Sequence, residues 1–228
     1  LSNNKDHKDL CKHLWFNYFK KPLDNLDDDW NKVLAYLRRY FFECEWHEAY
    51  DFIEFIAINF KKHQFHEKFT KSCNALLEKE MSAYRFVDGK VTQITEQHEV
   101  AEIEQAIENN EGPVRSHLRR ALELLSDREA PDYRNSIKES ISAVESFVGI
   151  TVGKEKGTLG QLLKRLETDF GLHPALKKAF SSLYGYTSDE GGIRHAMTSL
   201  TEIDFNDAKF MLVVCSAFIN FVEGKIED

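Results

Sequence analysis

The sequence predicts a mainly α-helical chain in two parts, on three observations. Apolar residues recur at three- and four-residue spacing through most of its length. One short stretch alternates instead, around the turn pair Asp88–Gly89. An Asn-Asn-Glu-Gly-Pro run at 109–113 then breaks the helical pattern. The division expected is a helical N-terminal domain over 1–95 with a β-hairpin near 83–94, a helical linker over 96–113, and a helical bundle over 114–228.

In chain order, Leu10 to Lys20 reads as a densely apolar helix that Pro22 ends. The acidic run DNLDDD that follows suits a link or a first helical turn. Trp30, Val33, Leu34, Leu37 and Phe41 then recur at helical spacing. The stretch CEWHEAYDFIEFIAINF is apolar on several sides, so a central helix is expected. Phe65, Phe69, Cys73, Leu76 and Leu77 mark a further amphipathic run. At Tyr84 the period drops to two, and SAYRFV-DG-KVTQI is the one strong β signal.

The second part has cleaner patterning. Val114, Leu118, Ala121, Leu122 and Leu125 line one helix face. Pro131 opens a helix in which Ile137, Ile141, Val144 and Val148 share a stripe. Thr158 and Gln161 stand at capping-box spacing before a helix that Gly171 closes. Pro174 opens the next helix. Asp204 is placed as N-cap of a last helix whose stripe runs from Ala208 through Met211, Leu212, Cys215, Phe218 and Ile219 to Val222. Helices joined by short links suit a bundle.

Composition limits the function classes. The 228 residues are 42% apolar and include 17 Phe, ample for a core. No apolar run is read as approaching the ~20 residues of a membrane helix, so no membrane partner is expected. The opening LSNNKDHKDL has no apolar signal core. The scattered cysteines, Cys11, Cys44, Cys73 and Cys215, read as reduced thiols, and a cytoplasmic location is expected. Residues 1–95 carry 15 basic and 15 acidic side chains, and residues 96–228 carry 15 and 23, so the whole net charge of −8 falls on the second part. That balance opposes a broad grip on nucleic acid, and no DNA partner is expected. Walker, dinucleotide-binding, G-x-S-x-G and H-E-x-x-H motifs are absent from the sequence.

The leading candidate site is the stretch Ser181 to Ala196, where Gly185, Gly191 and Gly192 accompany Asp189, Glu190, Arg194 and His195. Imidazole can move a proton near neutral pH, and guanidinium can hold a phosphate with paired donors. Together they suit metal-free RNA cleavage, with His195 as acid or base, Arg194 stabilising phosphate charge and Asp189 orienting either. Adjacent residues on a regular helix diverge by about 100°. Both reach one cleft only where the backbone is irregular, which Gly191–Gly192 permits. The plainer alternative is a loop ion pair between Arg194 and Asp189 or Glu190. Arg134 and Lys138, one helical turn apart, could extend a phosphate cleft or simply pair with surface acids. Cys44 with His47 and His63 with His66 have i, i+3 spacing, but nothing brings the two pairs together; no metal and no cofactor is expected.

The residues DYRNSIKESISAVESFVG, TLGQLLKRLE, LHPALKKAFSSLYGYTSDEGGIRHA and DFNDAKFMLVVCSAFINFV resemble the HEPN domain of AbiJ-type proteins. The front half, from WFNYFKKPLDN through CEWHEAYDFIEFI to LEKEMSAYRFVDGKVTQIT, is similar to one of the small N-terminal domains fused to that domain. The resemblance implies an HEPN-like bundle of about four or five helices, often a homodimer. It also implies a metal-independent endoribonuclease of abortive-infection or toxin type, acting in phage defence. The motif usual in that family is Arg, four to six residues, then His, whereas here Arg194 and His195 are adjacent. By position, Arg194 and His195 carry over in the last loop. The alternative that goes with this departure is a non-catalytic HEPN module for dimerisation, RNA binding or ligand sensing.

Overall fold

The computed structural model describes residues 5–59, 63–80, 82–153, 158–188 and 203–227. The chain divides into two units, Leu1–Gln93 and Ile94–Asp228. Among the described residues it is mainly helical, with one two-stranded antiparallel sheet, as the sequence predicts.

In the first unit, α1 (Lys5–His13) runs into a π-helical turn, Leu14–Tyr18, so the expected single helix changes winding halfway. The Phe19 N–H reaches back to the Leu14 carbonyl at 2.9 Å, and Lys20 takes a positive φ of 54° to end the element. The wider turn serves a cluster of rings. Trp15, Tyr18, Phe19, Tyr36, Tyr40 and Phe52 meet edge to face or tilted, with centroids 4.9–6.2 Å apart. The acidic run then forms a short 3-10 turn, Leu23–Asn25, and supplies the N-cap of α2 (Trp30–Glu43): the Asp29 carboxylate accepts the Asn31 N–H at 2.9 Å. Of the apolar residues expected to line α2, Val33 is buried, while Leu34 and Phe41 are exposed.

Helices α3 (Trp46–Asn59) and α4 (His63–Lys79) carry the hairpin, β1 (Arg85–Val87) and β2 (Lys90–Thr92). Asp88 and Gly89 both have positive φ, 45° and 81°, which is the mirror-image turn that the Asp-Gly pair favours. The register pairs Phe86 with Val91, the non-hydrogen-bonded pair of this two-residue hairpin, so their backbone polar groups point out of the ladder. Side chains meet them there. Asn74 of α4 accepts the Phe86 N–H at 2.7 Å and donates to its carbonyl at 2.9 Å. Glu54 of α3 accepts the Val91 N–H at 2.8 Å and pairs with Lys90 at 3.2 Å. Ala57, Phe86 and Val91 form the core here, with Tyr50, Ile53, Phe69, Cys73 and Leu77 packed around them.

The second unit is built from α5 (Gln97–Asn109), α6 (Gly112–Ser126), α7 (Tyr133–Thr151), α8 (Leu159–Phe170), α9 (Pro174–Ser188) and α10 (Phe205–Glu227). The stripes expected on α6 and α7 are buried, as is that on α10. Thr158 and Gln161 close the expected capping box, and Gly171 takes the left-handed conformation, φ 68°, at the end of α8. Asp204 accepts the N–H groups of Asn206 and Asp207 at 2.8 and 3.1 Å and starts α10. Residues 96–113, expected as a linker, form α5 and the start of α6. Helix α5 buries Ile103, Ala106 and Ile107, and packs along α10. Polar contacts fix the two together: Lys209 to Glu99 at 3.1 Å, Asn220 to the Glu102 carboxylate at 2.8 Å, and Asn110 to Glu223 at 2.8 Å.

One expectation is corrected. Phe205–Ile226 is long and apolar enough, by length and composition, to cross a membrane. The sequence reading missed it because Lys209, Asn220 and Glu223 interrupt the apolar run while its mean hydropathy stays high. Here α10 packs against α5, α6 and α7, with Ala208, Met211, Leu212, Cys215, Ile219 and Val222 buried. Burial pushes the Cys215 thiol up to about 12, so it stays protonated.

Asn74→Leu removes both partners of a nearly fully buried Phe86 backbone and is expected to cost about 2–4 kcal/mol. Trp15, Trp30 and Trp46 are the only tryptophans of the sequence, so urea unfolding followed by tryptophan fluorescence reports this unit. Leu76→Ala, at an exposed site of the same helix, should change stability by about 0.5 kcal/mol or less.

Candidate functional site

The leading sequence candidates, Asp189, Arg194 and His195, lie outside the described residues. The two remaining candidates, Arg134 and Lys138, stand on the first turns of α7. Asp132 fixes where that helix begins. Its carboxylate accepts the Asn135 N–H at 3.0 Å and the Asn135 side-chain amide at 2.6 Å. These bonds hold the Asp132 carboxyl below its ordinary range, against the opposing effect of burial and with lesser help from the Arg134 and Arg120 charges.

The position of α7 on α6 is set by apolar packing and by two inward serines. Ser136 donates to the Ala121 carbonyl at 2.8 Å, and Ser140 donates back to Ser136 at 2.9 Å. Ile137, Ile141, Val144 and Val148 are buried on one side. Arg134 and Lys138 flank that stripe on its solvent edge, Arg134 half-buried and Lys138 exposed. Neither makes a hydrogen bond or ion pair with another described side chain. Their i, i+4 spacing puts two cationic heads on one helix face, which suits successive phosphate oxygens. Glu145, lower on the same face, is half-buried.

The structure also pairs residues that the sequence reading did not single out. His117 of α6 and Glu139 of α7 meet through Nδ1 at 2.6 Å. They are 22 positions apart, and the pairing follows from the antiparallel register that Ser136 and Ala121 set. Local spacing carries no trace of it.

In the first unit, Tyr36, Arg39, Tyr40, Glu43, Cys44 and Glu48 line a cleft of about 250 Å³. Tyr18 donates to the Glu48 carbonyl at 3.0 Å, so Tyr40 is the donor in the 2.9 Å contact between the two phenols. Burial first, then the Tyr40 contact, pushes Tyr18 up, and burial first, then the Glu48 charge, pushes Cys44 up. Tyr40 is raised too, chiefly by burial. All three are protonated at neutral pH, so neither these phenols nor the thiol is an ionised nucleophile. Lys21 already covers its aromatic wall, with Nζ 4.5 Å from the Tyr36 ring centroid and donating to the Tyr36 hydroxyl at 2.8 Å. Among the described residues no group of three or more His, Cys, Asp or Glu side chains is placed to hold a metal ion. Cys44 faces the Phe41 carbonyl, His66 donates to the Ala57 carbonyl at 2.7 Å, and the His63 side chain lies outside the described residues.

Residues 2–109 match the family model AbiJ N-terminal domain 4, which supports an AbiJ-type family. The match covers a little under half of the chain. It takes in the hairpin of the first unit and ends at Asn109, the last residue of α5. No curated protein and no solved structure matches the chain.

The Asp132 cap makes a pH prediction. Its carboxyl is depressed in the folded state, so its stabilisation is present above the ordinary value of 3.8 and is lost as pH falls through the folded-state value. Asp132→Ala should cost about 1 kcal/mol at neutral pH, read from urea unfolding followed by far-ultraviolet circular dichroism. The gap to the unsubstituted chain should close progressively below pH 3.8.

Proposed function

We propose that the chain is an abortive-infection protein of phage defence whose second unit acts on RNA as a metal-independent endoribonuclease of HEPN type. The observation that carries the first half of this reading is the AbiJ N-terminal domain 4 match over residues 2–109. What supports the second half is the resemblance of Pro131 to Val222 to the HEPN domain, together with the Arg134–Lys138 face on α7.

The chemistry follows from the residue types. A ribose 2′-oxygen attacks the neighbouring phosphorus as His195 takes its proton. The bond from phosphorus to the 5′-oxygen breaks, and a proton returns to that oxygen. Arg194 balances charge on the phosphate, Asp189 orients the pair, and Arg134 and Lys138 hold flanking phosphates. The same reading has two copies pairing through the second unit, in the cytoplasm. The net charge of −8 on residues 96–228 favours a second reading, a non-catalytic HEPN module that pairs, binds RNA or senses a ligand.

The test is RNA cleavage by the purified chain in chelator-containing buffer, beside phage plating on cells that express it. His195→Ala and Arg194→Ala should each slow cleavage by about 100-fold or more and abolish phage protection. Arg134→Ala with Lys138→Ala should weaken RNA binding and flatten its salt dependence by about one to two ions. Cleavage indifferent to His195→Ala would exclude the mechanism. Protection without cleavage would favour the non-catalytic module.

A further inference from the structure

The last helix is apolar on more sides than its neighbours cover. Its buried positions, Ala208, Met211, Leu212, Cys215, Ile219 and Val222, face α5, α6 and α7. On the opposite side Phe210 is 51% exposed and Phe221 41%. Between them Val214 and Ala217 are half-buried, and Gly224 is exposed, with nothing within 4 Å of where its Cβ would stand. Phe210, Val214, Ala217, Phe221 and Gly224 follow one another at steps of four, three, four and three. That is the spacing of a coiled-coil seam, and it is offset from the stripe that builds the core. A surface helix in a single soluble unit needs one apolar stripe, and α10 has two.

We propose that this second stripe is an interface between two copies of the chain, with the two α10 helices packed antiparallel across a two-fold axis. The proposal deepens the pairing suggested above but rests on α10 alone, not on RNA cleavage. Antiparallel a-to-d layering about the midpoint of Val214 and Ala217 matches side chains by size. Phe210 packs against Phe221 of the partner subunit, and Val214 against Ala217 of the partner subunit, each contact occurring twice. Charge selects the direction. Asp207 lies in the first turn of α10 and Lys225 in the last. Antiparallel packing puts Asp207 beside Gly224 of the partner subunit and next to the partner's Lys225, and it opposes the helix dipoles favourably. Parallel packing would set Asp207 against Asp207 of the partner subunit. The ion pair from Lys209 to Glu99 lies off the seam, on the α5 side, and does not obstruct it.

The mass of the full chain in solution, from sedimentation equilibrium, tests this. A dimer is expected. Phe210→Lys and Phe221→Glu should each raise its dissociation constant about tenfold or more. The double variant Phe210→Lys with Phe221→Glu should restore the dimer, because an antiparallel seam sets each new lysine against a new glutamate. A parallel seam would set like against like. Should a charge variant fail to fold by circular dichroism, Phe210→Ala and Phe221→Ala remove apolar area alone and should weaken the dimer in the same direction. A monomeric unsubstituted chain, a dimer indifferent to these changes, or a double variant that stays monomeric would each overturn the proposal. So would binding of the unsubstituted chain to phosphatidylcholine vesicles that both single variants lose, which would assign the stripe to lipid. Mass reports pairing whether or not RNA is cut, so this proposal and the RNA reading fail separately.

Discussion

A hairpin of two three-residue strands has four unsatisfied edge groups and almost no core of its own. The first unit exists in its present form because α3 and α4 supply partners to three of the four from side chains. Asn74 presents one donor and one acceptor, as a neighbouring strand would, and Glu54 presents an acceptor to the other edge. With three of these groups paired, Phe86 and Val91 can be buried between the helices at reduced polar cost. Two short strands thus tie two helices that share few direct contacts of their own. Gly89 completes the fit. Its turn needs positive φ, and a Cβ there would stand 3.1 Å from Cε1 of His66, which the Ala57 carbonyl holds in place.

The second unit answers a different demand. Its helices carry regular stripes, so packing alone brings them together, and polar contacts then fix register. Serine hydroxyls on α7 reach backbone carbonyls, and Glu99, Glu102 and Glu223 each bind a side chain across the α5–α10 boundary. Arg115 does the same at the end of α5, donating to the Ile107, Glu108 and Asn110 carbonyls that the helix leaves open. That cap joins α5 firmly to α6.

Much of this is legible in the sequence because it is local. The Asp88–Gly89 turn, the Thr158–Gln161 box, the Asp204 cap and the stripes of α6, α7 and α10 depend on residues within a few positions of one another. What is not legible depends on distance. Asn74 and Phe86 are 12 positions apart, His117 and Glu139 are 22, and Lys209 and Glu99 are 110. No periodicity announces such pairs. The α2 residues Leu34 and Phe41 show the converse error, where helical spacing is real but the face it marks is not covered. Of the candidate site, the Arg134–Lys138 pair was readable from an i, i+4 step. The cleft beside Tyr40 was not, since its walls come from two helices and its phenol pair from a third element.

The π-helical turn at Leu14–Tyr18 fits one more residue into a revolution than a regular helix does. It is a built-in insertion, and the ring cluster is indexed to it. Five residues of the wider turn carry the chain about as far round as four of a regular helix, so deleting one would restore ordinary winding and leave the side chains beyond it nearly where they are. A further inserted residue, with no slack left to absorb it, would instead swing Tyr18 and Phe19 by about 100° off the α2 and α3 rings they now touch. Length at this point in the chain is thus guarded more closely against growth than against loss.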